Sequence, residues 1–263
     1  MFVVHAVEEK DSKANSGLLS LTVTYHEKHA DNISAEEILW QAPLQKLNNY
    51  QVTSLKFTDK CQPTRCWKPS VFFRSFVEPF PNLQHLHLEH VKLGLEYVLD
   101  NGAMRPQALP SRRPLKSLTF EEMEHNNEVN PFHFFRYFHT IEQLTVRPSS
   151  PLRSSEKFKE VGDYQLLDWI QTNLHPYFPK VKNVIVHRTA YARAYYAMLL
   201  HPSVVPGITS LQLRVSALSD ISVLKVLLSS VPNLEQLLLD FDLQESAGYD
   251  RNDSSVLWAI LGK

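Results

Sequence analysis

A repeating α/β solenoid is the fold class that this sequence predicts, and three observations predict it. The first is a six-residue phrase of apolar, two variable, apolar, one variable and apolar residues that returns eight times. The second is a set of segments with helical apolar spacing between those phrases. The third is that the variable positions facing away from the expected core are nearly all polar. A unit this small cannot bury its own apolar face and must stack on its neighbours, which is how leucine-rich-repeat arrays are built. The expected architecture is therefore a leucine-rich-repeat horseshoe. Its parallel concave sheet has about eight strands, and helices and loops lie on the convex side.

The phrases read Leu18 to Val23, Val52 to Phe57, Leu83 to Leu88, Leu115 to Phe120, Ile141 to Val146, Val181 to Val186, Ile208 to Leu213 and Leu234 to Leu239. Their first residues fall at 18, 52, 83, 115, 141, 181, 208 and 234, so successive units are 34, 31, 32, 26, 40, 27 and 26 residues long. Leucine-rich units usually run ~20–29 residues, so this array is irregular. Residues 1–17 form an N-terminal flank, 18–243 the array, and 244–263 a partial C-terminal unit or truncated end.

Helical spacing predicts connectors over 35–47, 164–174, 191–200 and 219–230, each with apolar residues three and four apart. Prolines punctuate the frame. Phe80-Pro81-Asn82-Leu83 and Val231-Pro232-Asn233-Leu234 end a helix just before a strand, where a missing N–H matters least, and Pro179 and Pro206 take similar places. The proline-containing inserts 101–114 and 148–160 read as loops. The aromatic run Phe132 to His139 reads as core packing, with Arg136, His133 and His139 as its solvated edge.

The bulk composition suits a folded protein with ample core: 263 residues, 43% hydrophobic and 21% charged. Lysine and arginine total 27 against 28 acids, a formal net charge of −1. No global basic excess drives sequence-independent nucleic-acid binding, and no polybasic run holds a membrane surface. No stretch of eighteen uncharged apolar residues is present to span a bilayer. The start lacks the basic end and long apolar run of a signal peptide. Two cysteines make no disulfide framework, so a cytoplasmic or nuclear site is expected. Seven glycines argue against glycine-rich nucleotide loops. No cofactor is called for.

The phrases Pro81-Asn82-Leu83 to Leu88 and Pro232-Asn233-Leu234 to Leu239, with irregular unit lengths and helix-rich connectors, resemble the leucine-rich region of F-box proteins, particularly divergent fungal ones. The resemblance covers roughly residues 18 to 243. It implies a module that selects a protein substrate for ubiquitination. A Skp-type adaptor is implied only where a full-length form carries an F-box; about seventeen residues precede the first phrase, too few for one, so the chain reads as a fragment or a truncated gene product. The family's asparagine or cysteine three residues after the last apolar position is missing. Those places hold residues such as His26, Lys60, Val91, Met123, Thr189, Ser216 and Asp242, so the turns must satisfy their backbone groups another way.

Alternation along a strand sends the fourth and sixth residues of each phrase into the core and the third, fifth and seventh outward. The concave face so defined would be about 38 Å wide at ~4.8 Å per strand. Its candidate partner-binding residues are Lys56, His85, His87, Glu89, Thr119, Glu121, Gln143, Arg147, Asn183, His187, Gln212 and Arg214. The expected role is non-enzymatic protein recognition, with a stand-alone scaffold or inhibitor as the alternative. A remote alternative is a metal-dependent hydrolase using His85, His87 and Glu89, which share one face at steps of ~6.6 Å. Against it, neighbouring positions on a flat sheet converge poorly on one ion. Cys61 and Cys66, placed in a loop, lack a second pair to complete a zinc site.

Overall fold

The computed structural model describes residues 2–9, 18–25, 51–60, 66–93, 98–100, 103–105, 112–122, 132–148, 178–187, 199, 201, 204–215 and 228–241. The strands in chain order are β1 (Phe2–Glu9), β2 (Leu18–Tyr25), β3 (Val52–Asp59), β4 (Cys66–Trp67), β5 (His85–Glu89), β6 (Lys92–Leu93), β7 (Val98–Asp100), β8 (Ala103–Arg105), β9 (Arg113–Glu122), β10 (Phe138–Pro148), β11 (Lys180–Val186), β12 (Ser210–Val215) and β13 (Gln236–Phe241). One open sheet holds nine of them in the order β1-β2-β3-β5-β9-β10-β11-β12-β13. The eight that carry the phrases are mutually parallel and neighbour one another in sequence order.

The register follows the phrase position by position. Leu21 aligns with Leu55, then Leu86, Leu118, Leu144, Val184, Leu211 and Leu237. All but Leu237 are buried, at no more than 1% exposed. A one-residue slip would turn every one of these to the other face, so burial of one row fixes the pairing. Backbone bonds repeat at the second phrase position as well. Gln84 N–H donates to the Thr53 carbonyl and Lys116 to Gln84, both at 2.8 Å; Thr209 donates to Lys182 at 2.9 Å and Glu235 to Thr209 at 2.8 Å.

Three residues ahead of five of the eight phrases lies a further apolar contact that the phrase itself does not contain. Phe80, Phe138, Phe178, Val205 and Val231 are all buried. In two units the following pair forms a tight turn: Leu83 N–H donates to the Phe80 carbonyl at 3.1 Å and Ile208 to Val205 at 3.2 Å. Pro81 and Pro206 supply the fixed φ that the second turn residue needs. Asn233 of the last unit donates its side-chain N–H to the Pro206 carbonyl at 2.8 Å, tying one turn to the one before it. At the matching position Gly207 has no side chain, and a Cβ there would meet the Val181 carbonyl at 3.0 Å.

Behind the sheet, a helical turn Pro69–Phe72 runs into a π-helical turn Phe73–Val77. Proline at the helix start gives up an N–H that would have no partner there. Phe57 of β3 meets Trp67, Phe72 and Phe76 at ring distances of 5.9, 5.0 and 4.6 Å. Phe73 stacks on Tyr137 at 4.5 Å. The π-helical end is closed by Arg113, which donates to the carbonyls of Val77 and Phe80 at 2.9 and 2.8 Å and lies over the Phe73 ring.

Several expectations need correction. Arg136 is not a solvated edge: it is 1% exposed, with its guanidinium beside the Tyr137 ring and hydroxyl. The aromatic run does pack inward through Phe134, Phe135, Tyr137 and Phe138, and His139 is exposed. Cys66 sits in β4, paired with β6, rather than in a loop. The insert 101–114 contains β8, which pairs antiparallel with β7, and its last two residues open β9. The N-terminal flank contributes β1, which pairs antiparallel with β2. Pro148, the first residue of the loop expected over 148–160, ends β10; the rest of that loop, Cys61, the helices expected over 35–47 and 164–174, and most of those over 191–200 and 219–230 lie outside the described residues. No helix among the described residues is long and apolar enough to cross a membrane.

Candidate functional site

The face opposite the core carries three aligned rows. The first runs Ser20, Ser54, His85, Ser117, Gln143, Asn183, Ser210, Gln236, and the second Thr22, Lys56, His87, Thr119, Thr145, Ile185, Gln212, Leu238. The third runs Thr24, Thr58, Glu89, Glu121, Arg147, and resumes with Arg214 beside Asp240. Lys56, His85, His87, Glu89, Thr119, Glu121, Gln143, Arg147, Asn183 and Gln212 thus share one face, on six successive strands. His187 immediately follows β11, and its N–H donates to the Val146 carbonyl at 2.8 Å. Arg214 is placed by its backbone register.

Charge concentrates at the middle of this face. Lys56 Nζ lies 2.9 Å from Glu89 Oε2, and the Thr58 hydroxyl donates to the same oxygen at 2.7 Å. On the next strands Arg147 pairs with Glu121, whose Oε1 also lies 3.1 Å from His87 Nε2. That imidazole nitrogen is buried and not aligned for a hydrogen bond, so the contact is one of proximity. His85 Nδ1 meets the Ser117 hydroxyl at 2.8 Å. His90, just past β5, adopts φ 60, and its Nε2 lies 3.9 Å from Glu89 Oε1. Four of the charged candidates are therefore engaged with one another. The sequence named these residues; the alternation carried no signal for the diagonal pairing between strands.

Two of these groups are held below their ordinary values, for different reasons. Burial lowers the His87 imidazole below its ordinary value; Glu121 opposes this, while Lys56 and Arg147 add to it. Burial alone would raise the Glu89 carboxyl, but hydrogen bonds from Lys56 and Thr58 and the charges of Lys56 and His90 outweigh it and hold the group low. Two outward positions are more enclosed than alternation predicts. Thr58 and Thr145 are 3% and 8% exposed, Thr58 lying under the Glu89 carboxylate and Thr145 accepting from the Gln143 amide at 3.4 Å. The face also ends less polar than it begins, with Ile185 half-buried and Leu238 57% exposed.

Two strand ends are closed by neighbouring backbone. Lys60 N–H donates to the Tyr25 carbonyl at 3.0 Å and His90 N–H to the Glu121 carbonyl at 3.1 Å. Among the described residues, no three His, Cys, Asp or Glu side chains are set around a point that could hold a metal ion. In the cluster His85-His87-Glu89, His85 turns to Ser117 and Glu89 to Lys56. Comparison with protein-family models, with curated proteins and with solved structures returns no match.

Proposed function

We propose that this chain is a non-enzymatic protein-recognition module of leucine-rich-repeat type, similar to the substrate-binding repeat region of an F-box ubiquitin-ligase receptor. The observation that supports this reading is the residue-by-residue alignment of polar side chains across eight parallel strands. The register itself follows from burial of the apolar row; what suits a protein partner is the broad face of polar and charged side chains that it leaves open. Binding energy would concentrate in a few side chains, and the charged ones would set specificity. The partner is a protein, or a substrate destined for ubiquitination, in cytoplasm or nucleus. A Skp-type adaptor would join only through an F-box in a full-length form; recovery of partners without such an adaptor would favour a stand-alone scaffold or inhibitor. The hydrolase alternative draws less support, because the His85, His87 and Glu89 side chains turn to different neighbours.

The test is capture by the immobilised chain and by an Arg147→Glu, Arg214→Glu variant. Loss of the captured partner with nearly unchanged thermal melting supports the open face as the binding surface. Equal capture by both removes that assignment.

A further inference from the structure

Resting on that reading, we propose that the centre of the open face becomes a cationic receptor for an acidic, carboxylate-rich protein segment when His85, His87 and His90 take up protons. Three imidazoles lie within six residues of β5 and its end, flanked by fixed charges that already balance. Lys56 from β3 answers Glu89, and Arg147 from β10 answers Glu121 of β9. The other acid on β3, Asp59, is buried and accepts the Trp67 indole N–H at 2.9 Å. Each carboxylate near the histidines is thus occupied, Glu89 by Lys56 and Thr58, Glu121 by Arg147.

Protons added to the imidazoles raise the net charge of the patch, because the carboxylates beside His87 and His90 already have a cationic partner. With the histidines neutral, two cations face two anions. Each proton taken up adds one positive charge beyond the balanced pairs, and burial, Lys56 and Arg147 oppose its uptake at His87. His85 is the most exposed of the three, and across its row it faces only Ser54 and Ser117. His87 sits between Lys56 and Thr119 in its own row, close to Glu121, with Arg147 and Glu89 also acting on it. His90 faces Glu89. Histidine is the side chain that gains charge on mild acidification, so a balanced patch becomes a cationic one without any change of fold.

The experiment measures fluorescence anisotropy of a labelled poly-aspartate peptide with the intact chain at about pH 7.5 and about pH 5.5, on either side of the ordinary imidazole range. Binding is expected to tighten about tenfold on acidification, as positive charge is gained on the open face. A variant carrying His85→Gln, His87→Gln and His90→Asn should lose that gain, while His139→Gln, at an exposed position outside the patch, should keep it. His85→Gln alone, at an exposed site where folding is not at issue, should lose part of it. An undiminished gain in the triple variant, or no gain in the intact chain, overturns the inference. Partner capture that depends on Arg147 and Arg214 at neutral pH would survive that failure, so the two readings fail separately.

Discussion

Lys56 of β3 and Glu89 of β5 meet diagonally, Nζ 2.9 Å from Oε2, across a pair of strands whose direct partners are Lys56 with His87 and Thr58 with Glu89. The diagonal is long for a sheet, and a lysine has the reach to close it. Because the hydrogen bonds from Lys56 and Thr58 outweigh burial, Glu89 stays ionised to lower pH than an ordinary glutamate. Its contribution to stability is therefore present above the unfolded-state value and is lost as pH falls through the folded one. Lys56→Met should raise the titration midpoint of Glu89. It should raise that of His87 too, since the Lys56 charge helps to keep this imidazole neutral. Side-chain NMR titration reads both; an unmoved Glu89 would show that the pair is not formed in solution.

His87 gives the same sign in a higher range of pH. Its folded value lies below the ordinary one, chiefly through burial, so the unfolded chain binds the proton more readily. Stability from this group is complete above the unfolded imidazole value and declines as pH falls from there towards the folded value. His87→Gln should flatten that part of the stability-against-pH curve, measured by urea unfolding between about pH 7.5 and about pH 5. Glu121→Gln should steepen it, because the carboxylate that opposes the shift is gone.

The register of the sheet was legible because alternation and burial are one constraint: a phrase that hides Leu118 must display Thr119. The set of residues on the open face followed from the same periodicity. How those residues engage one another did not, because Lys56 with Glu89 and Arg147 with Glu121 join positions in different units. Arg136 was misjudged for a related reason. A charge in an aromatic run reads as a solvated edge, yet its long side chain lies buried against Tyr137. β1 lacks the phrase and so left no mark in a search for it. The buried residue three places before five of the phrases was hidden because Phe and Val share that position, while Asn15, Asn49 and Arg112 hold it before the other three.

Leu118 stands mid-row and fully buried, whereas Leu237 at the last strand of the sheet is only half-buried. Leu118→Ala should cost about 2–5 kcal/mol, as a large-to-small change in a packed core does, and Leu237→Ala clearly less. Urea unfolding midpoints check the order. Equal costs would mean that the two leucines are equally enclosed.

Arg113 closes the end of the π-helical turn through the Val77 and Phe80 carbonyls, and burial lowers its guanidinium from the ordinary value. Arg113→Met keeps much of the apolar stem over Phe73 but removes both donors. The expected loss is about 1–3 kcal/mol, the cost of leaving enclosed acceptors without partners. Chemical denaturation of this variant beside the unaltered chain decides it.

The stacking of equivalent positions is tested most directly by thiol cross-linking along the first row, with Cys61 and Cys66 replaced by serine. Gln143 is the direct partner of both Ser117 and Asn183 in the parallel register. Cysteines at 143 with 117, and at 143 with 183, should be joined rapidly by a bifunctional reagent spanning about 5 Å, the separation of neighbouring strands. Cysteines at 143 with 20, four strands away along the same row, should not. Rapid joining of 143 to 20, or none to 117 and 183, would contradict the ordered array on which the proposed recognition face depends.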